Sequence, residues 1–237
     1  MLRITNLSKK YRGAESYSAH GITFDVQDGE VCGLVGSNGA GKSTILKCIT
    51  GILPFEEGEI SVGGFDMEKE SEKAKKLIGY VPDDHTVYDK LTGREYVNYM
   101  GSLYGATKER KKEVLETCAK IFHLEAALDV QIGNYSHGMK QKICIIGSLV
   151  HDPALWILDE PMVGLDPQTM AALCRMIREY ADGGRSVLFS SHNLDVVKKV
   201  CDKIAFIRGG ELACVLEKKD IAGDFDIDAY FMSLNGV

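Results

Sequence analysis

Apolar residues along the chain fall into short runs separated by glycine-rich and polar turns. Nine of these runs have the length and β-branched content of strands: residues 2–5, 22–26, 31–35, 60–62, 78–81, 155–158, 186–189, 204–207 and 212–216. The runs at 31, 155 and 186 are continuously apolar, the pattern of a parallel strand covered on both faces. The early and late runs alternate more and predict antiparallel pairing. Between residues 86 and 150 the period changes to 3.6, predicting helices over 92–104, 108–122 and 136–150 with no strand among them. A further helix is predicted from Asp166 and Pro167, a capping residue followed by a first-turn proline, with Met170, Leu173, Ile177 and Tyr180 on one face. Residues 217–237 read as a polar tail with one helical turn. The expected architecture is α/β, with a mostly parallel core sheet, an antiparallel β part and an inserted helical lobe. Residues 1–85 and 151–237 form the core lobe in this reading, and 86–150 the helical lobe.

Size and charge narrow the field. At 237 residues the chain suits one domain with an insertion, and 45% hydrophobic residues exclude disorder for its bulk. A net charge of −6 leaves no broad basic field for a nucleic-acid backbone or an anionic bilayer, so nucleic acid is not expected as a partner. No apolar run approaches the ~20 residues of a membrane span, and the first residues alternate rather than forming a signal peptide, so a cytoplasmic protein is expected. Seven widely spaced cysteines with no CxxC pair read as buried reduced thiols.

Glycine, 25 residues against 5 prolines, marks tight turns, and one turn carries chemistry. Residues 36–44 read GSNGAGKST between an apolar strand and a helical run, the pattern of a phosphate-binding loop. Gly36, Gly39 and Gly41 let backbone N–H groups curl around phosphate oxygens, and the following helix points its positive end at them. Side chains there would block the cradle. Lys42 supplies a charge for the outer phosphates, and the Ser43 hydroxyl can coordinate a bridging magnesium ion. The implied ligand is a nucleoside triphosphate with Mg2+.

Downstream, ALWILDEP ends an apolar strand in Asp159 and Glu160, at the carboxyl edge where ligands of open α/β sheets sit. Asp159 is the expected magnesium carboxylate, and Glu160 is placed to polarise an attacking water. His192, just past the strand at 186–189, could hydrogen-bond a γ-phosphate and orient that water.

The stretch IGNYSHGMKQK at 132–142 resembles the signature of ABC ATPases, the ATP-binding cassettes of membrane transporters. GSNGAGKST resembles that family's Walker A loop, LWILDE its Walker B strand, GLD at 164–166 its D-loop and Ser191-His192 its switch histidine, all in the family's order. The resemblance implies a P-loop NTPase fold of ABC ATPase type and ATP hydrolysis coupled to transport through a separate transmembrane permease. It also implies ATP-dependent head-to-tail pairing with a second cassette, identical or different, so that Ser136 and the Gly138 backbone complete the site held by the other copy's Lys42. The ATP-contacting set is then Tyr11, Gly36, Ser37, Asn38, Gly39, Ala40, Gly41, Lys42, Ser43, Thr44, Ser136 and Gly138. Tyr11 resembles the aromatic residue that stacks on adenine, with Tyr17 as its rival.

Two departures from the family pattern bear on the reading. His137 and Met139 stand where glycine and glutamine are usual, a variant resembling the drug, lantibiotic and peptide exporter branch. After IGYVP the usual glutamine is replaced by Asp83, followed by Asp84; a carboxylate there could reach magnesium directly or through water. Asp83 therefore joins Ser43 and Asp159 as a candidate metal ligand. The chain is expected at the inner face of the cell membrane, held peripherally by its permease. The soluble alternative is a non-transport ABC ATPase of translation or DNA repair. Five tyrosines, at 80, 88, 96, 99 and 104, suggest either an aromatic partner groove or core packing.

Overall fold

The computed structural model describes residues 1–84, 87–221 and 226–235. The proposed lobe boundary at 85/86 lies outside the described residues. The chain opens with strands β1 (Leu2–Lys9), β2 (Ala19–Val26) and β3 (Val31–Val35), followed by helix α1 (Lys42–Ile49). Strands β4 (Glu57–Val62) and β5 (Phe65–Asp66), helix α2 (Ser71–Lys76) and strand β6 (Ile78–Val81) come next. Helices α3 (Gly93–Leu103), α4 (Lys108–Phe122) and α5 (His137–Leu149) then occupy the stretch before β7 (Leu155–Leu158), with two single 3-10 turns between α4 and α5. Helix α6 (Pro167–Asp182), strand β8 (Ser186–Ser191), helix α7 (Leu194–Val200), the hairpin β9 (Lys203–Arg208) and β10 (Glu211–Glu217), and helices α8 (Lys218–Ile221) and α9 (Ile227–Asn235) complete the chain.

Two sheets result. The larger has the order β10-β9-β3-β8-β7-β6, parallel except for β10 against β9. The smaller, β2-β1-β4-β5, is antiparallel throughout. Every residue of β3, β7 and β8 is buried, which explains the unbroken apolar sequences of β3 and β7 and the apolar centre of β8. Polar residues at alternate positions of β1 and β4 mark their outward face.

Helix boundaries follow local capping chemistry. Thr92 and Glu95 form a reciprocal capping box at the start of α3, with Thr92 N–H donating to Glu95 Oε2 at 2.9 Å. Thr107 caps α4, Ser136 caps α5, and Asp166 with Pro167 caps α6. Trp156, fully buried in β7, donates to Ser148 Oγ at 3.0 Å and so ties α5 to the sheet.

Two features go beyond the sequence reading, and a third bears on an alternative it left open. The tail is not merely one polar turn: Ile227 is buried and Tyr230 and Phe231 pack near Phe206, their ring centroids 5.4 and 6.3 Å away, giving α9 an apolar face at i, i+3 and i+4. Helix α7 follows the candidate histidine, capped by Asn193, whose Oδ1 accepts from Asp195 and Val196 N–H. The tyrosines divide: Tyr96 is buried in the core and Tyr104 stacks on His151 at 3.8 Å, while Tyr88 and Tyr99 meet edge-on at 5.3 Å on the surface. All seven cysteines are free, and six are buried. Burial raises their thiol pKa values, as for Cys118, pushed up to about 11, which keeps them inert.

Candidate functional site

The parallel sheet brings the ends of β3, β7 and β8 side by side, with Val35 opposite Ser191 and Leu158 opposite Phe189. Strand β3 runs into the glycine loop. Gly41 adopts φ +107, and a Cβ there would lie 2.1 Å from the Ser18 carbonyl oxygen; at Gly36 it would lie 2.4 Å from the Ile207 carbonyl. Both positions therefore need glycine for close backbone approach. Gly39 is also left-handed, at φ +81, but faces open space. Helix α1 begins at Lys42, so its unpaired N–H groups open onto the loop.

Lys42 is buried, and its ammonium donates to the carbonyls of Gly36 at 2.8 Å and Ser37 at 3.2 Å. It also pairs with Glu160 Oε1 at 3.2 Å. The other oxygen of Glu160 lies 2.9 Å from His192 Nδ1. Glu160 itself sits at φ +47, a left-handed conformation that costs about 1–3 kcal/mol in a non-glycine residue. Its N–H is tied to Ser190 Oγ at 2.8 Å, and its carbonyl accepts from Val163 at 3.2 Å.

Asp159 is fully buried, its N–H bonded to the Val81 carbonyl at 2.9 Å and its Oδ1 accepting from Ser190 Oγ at 2.6 Å. Burial raises its carboxyl pKa, and the hydroxyls of Ser190 and Ser43 counter that rise. Among the described residues Oδ2 has no hydrogen-bond partner. A buried carboxylate oxygen without a donor, beside a serine hydroxyl, is a donor set of hard oxygens and fits a magnesium ion. Asp83 and Ser43 share a cavity wall, and Asp159 lies outside that lining.

A cavity of about 300 Å3 is lined by Ser18, Asn38, Gly39, Gly41, Lys42, Ser43, Thr44, Asp83 and Glu160, with Asp159 and His192 outside the lining. Ala40 is buried behind it, its carbonyl accepting from Gly210 N–H at 2.9 Å, which fastens the loop to the β9–β10 turn. Tyr11 is 43% exposed, with its hydroxyl 3.4 Å from Thr44 Oγ1, so its ring stands at the rim of the loop. Tyr17 instead packs on His20 with the rings tilted by 33°, at 4.7 Å between centroids.

Ser136 and Gly138 do not line this cavity. Ser136 caps α5, its Oγ accepting from Met139 N–H at 3.3 Å, and Gly138 lies against Gly164, whose carbonyl would be 3.3 Å from a Cβ there. Two buried residues escaped the sequence reading. Gln141 on α5 donates to the Pro161 carbonyl, joining the start of that helix to the loop that carries Glu160. Ser190 joins Asp159 to Glu160, and its signal was a buried-strand hydroxyl two residues before the candidate histidine.

A family model described as ABC transporter matches residues 19–163. The chain belongs to the ABC transporter family. It is an ATP-binding subunit of that family and an ATPase. Over 222 residues it is 38% identical to the linearmycin resistance ATP-binding protein LnrL of Bacillus subtilis, covering 93% of this chain and 70% of LnrL. It is 33% identical over 212 residues to the SkfA peptide export ATP-binding protein SkfE of the same organism, covering 90% and 87%. A solved ATP-binding subunit of an ABC transporter superposes with a TM-score of 0.92 at 30% identity, over 99% of both chains. The expected ABC ATPase fold is thereby established.

Proposed function

We propose that this chain drives a separate membrane permease for export of a drug, peptide or lantibiotic, working as one of two head-to-tail cassettes. The observation that carries the reading is Glu160 held between Lys42 and His192 at the edge of the glycine loop. In this reading the loop from Gly36 to Thr44 wraps the phosphates with backbone N–H groups, and Lys42 neutralises the outer ones. Tyr11 offers its exposed ring to the adenine. Ser43, Asp159 and Asp83 would hold Mg2+, which supplies charge neutralisation of the phosphates. Glu160 accepts a proton from the attacking water, and His192 orients both the carboxylate and the γ-phosphate.

Pairing with a second cassette follows from the separation of the signature residues from the cavity. Ser136 caps the start of a helix that includes Gly138; the positive end of such a helix attracts an anion, and a partner's γ-phosphate provides one. Movement is then assigned to two lobes, residues 1–85 with 151–237 and residues 86–150. Export is supported by the signature variant at His137 and Met139 and by the resistance and peptide-export names of LnrL and SkfE. These names favour the transport motor over the soluble alternative. The proposed location is the inner face of the cell membrane, in the cytoplasm, with the permease as anchor. Among the described residues no helix is long and apolar enough to cross a membrane.

The test is capture. A tagged Glu160→Gln chain with ATP and magnesium, recovered from gently solubilised cells, should bring down a multi-span membrane protein. Recovery of ribosomes or DNA-bound proteins without a permease would contradict the reading.

A further inference from the structure

The hydroxyl of Ser190 touches both carboxylate residues of the site. Strand β8 lies parallel to β7 in a register that pairs Leu158 with Phe189, so the next residue on each strand, Asp159 and Ser190, also face each other. Ser190 is fully buried. Its Oγ donates to Asp159 Oδ1 at 2.6 Å and accepts from Glu160 N–H at 2.8 Å. A serine hydroxyl has one proton, and an amide can only donate, so the sense of both bonds is fixed. The proton is committed to Asp159, and a lone pair to Glu160.

Two consequences follow from this one atom. Occupying Oδ1 leaves Oδ2 of Asp159 as its unpartnered oxygen among the described residues. Anchoring the Glu160 N–H restrains a residue whose backbone is left-handed at φ +47, and it is this backbone that carries the carboxylate to Lys42 and His192. Without the hydroxyl, Asp159 could rotate and the Glu160 amide would lose its partner in a buried place.

We propose that Ser190 is a positioning residue for ATP hydrolysis, turning Asp159 Oδ2 toward the metal and fixing the backbone from which Glu160 reaches the water. The inference rests on the roles given above to Asp159 and Glu160. It assigns the step to a hydroxyl two residues before His192, on the strand beside the carboxylates.

Ser190→Ala, Ser190→Cys and Ser190→Thr in the full chain test it, beside Glu160→Gln as a control. Partners that orient metal ligands typically contribute 10–100-fold to metal affinity or activity. Ser190→Ala should lower kcat by about 10–100-fold while the KM for ATP stays within about threefold. Mn2+ binding to the ADP complex, read by electron paramagnetic resonance, should weaken by about 10-fold or more. Binding of a fluorescent ATP analogue without divalent metal should be unchanged, and Ser190→Thr should restore both kcat and Mn2+ affinity. Ser190→Cys, a poorer donor of nearly the same volume, should behave like alanine and carries the measurement if Ser190→Ala does not fold.

The proposal is overturned if kcat and Mn2+ affinity stay within about twofold of the parent chain, or if metal-free nucleotide binding falls in step with them. Failure of Ser190→Thr to restore either readout while the variant folds also overturns it. Normal turnover by Glu160→Gln would instead remove the catalytic reading beneath it, so the two failures are distinguishable.

Discussion

Lys42 Nζ lies 3.2 Å from Glu160 Oε1, so the lysine that should meet the outer phosphates is already paired with the carboxylate that should meet the water. Among the described residues Oε1 receives no hydrogen bond, and the charge of Lys42 holds it. A γ-phosphate that draws Lys42 away releases Glu160 and also faces its negative charge, whereas ADP does neither. Glu160→Gln should therefore raise the preference for ATP over ADP by about tenfold, or 1.4 kcal/mol, in equilibrium binding of the two nucleotides. An unchanged ratio would mean that the pair does not sense the γ-phosphate.

The glycine loop makes a graded prediction. A Cβ at Gly41 would fall 2.1 Å from the Ser18 carbonyl at φ +107, whereas a Cβ at Gly39, φ +81, meets nothing within 4 Å. Gly41→Ala should displace the loop and weaken ATP binding by more than about 100-fold, the equivalent of about 3 kcal/mol of clash and strain. Gly39→Ala adds only left-handed strain, about 1 kcal/mol, to the nucleotide-free chain. Thermal unfolding without nucleotide, compared between the two variants, checks the ranking.

Asp166 gives a prediction with a pH sign. Its Oδ2 accepts from Thr169 Oγ1 at 2.6 Å and its Oδ1 from Thr169 N–H at 2.9 Å, and these bonds pull its pKa down to about 2. A carboxyl held below its ordinary value stabilises the fold above that value, and the contribution is lost as pH falls through the folded pKa. The Tm difference between the parent chain and Asp166→Ala should be constant above about pH 5 and shrink between about pH 4 and 2. A difference that grows on acidification would contradict the assignment.

Trp156 is the chain's single tryptophan, fully buried, bonded to Ser148 and packed edge-on to Tyr180 at 5.4 Å. Trp156→Phe leaves a cavity and takes away the donor to a buried hydroxyl. Denaturant unfolding should show a loss of about 1–3 kcal/mol. ATP binding by the native variant should persist, since Trp156 is remote from the glycine loop in the register of β7.

Most of the architecture was readable because it rests on local chemistry. The runs at 31–35 and 155–158 are strands over their whole length, and the helix predicted over 108–122 matches α4, because a capping threonine and a left-handed His123 stop the pattern at both ends. β5 and α2 were not legible: two residues of strand and six of helix are too short to carry a period. The packing of α9 was hidden because Tyr230 and Phe231 find their partner, Phe206, only through the fold. At the site, the motif residues of the loop and of Asp159, Glu160 and His192 were legible from spacing. Ser190 and Gln141 were not, since their importance lies in which strand or helix lies alongside.

Removal of a general base typically costs 10²–10⁴-fold in rate. The most direct measurement is accordingly the single-turnover hydrolysis rate of Glu160→Gln with saturating ATP and magnesium, alongside equilibrium ATP binding to the same protein. The account predicts retained binding with hydrolysis slowed by at least about 100-fold. Hydrolysis within a few-fold of the parent chain at full nucleotide occupancy would contradict it.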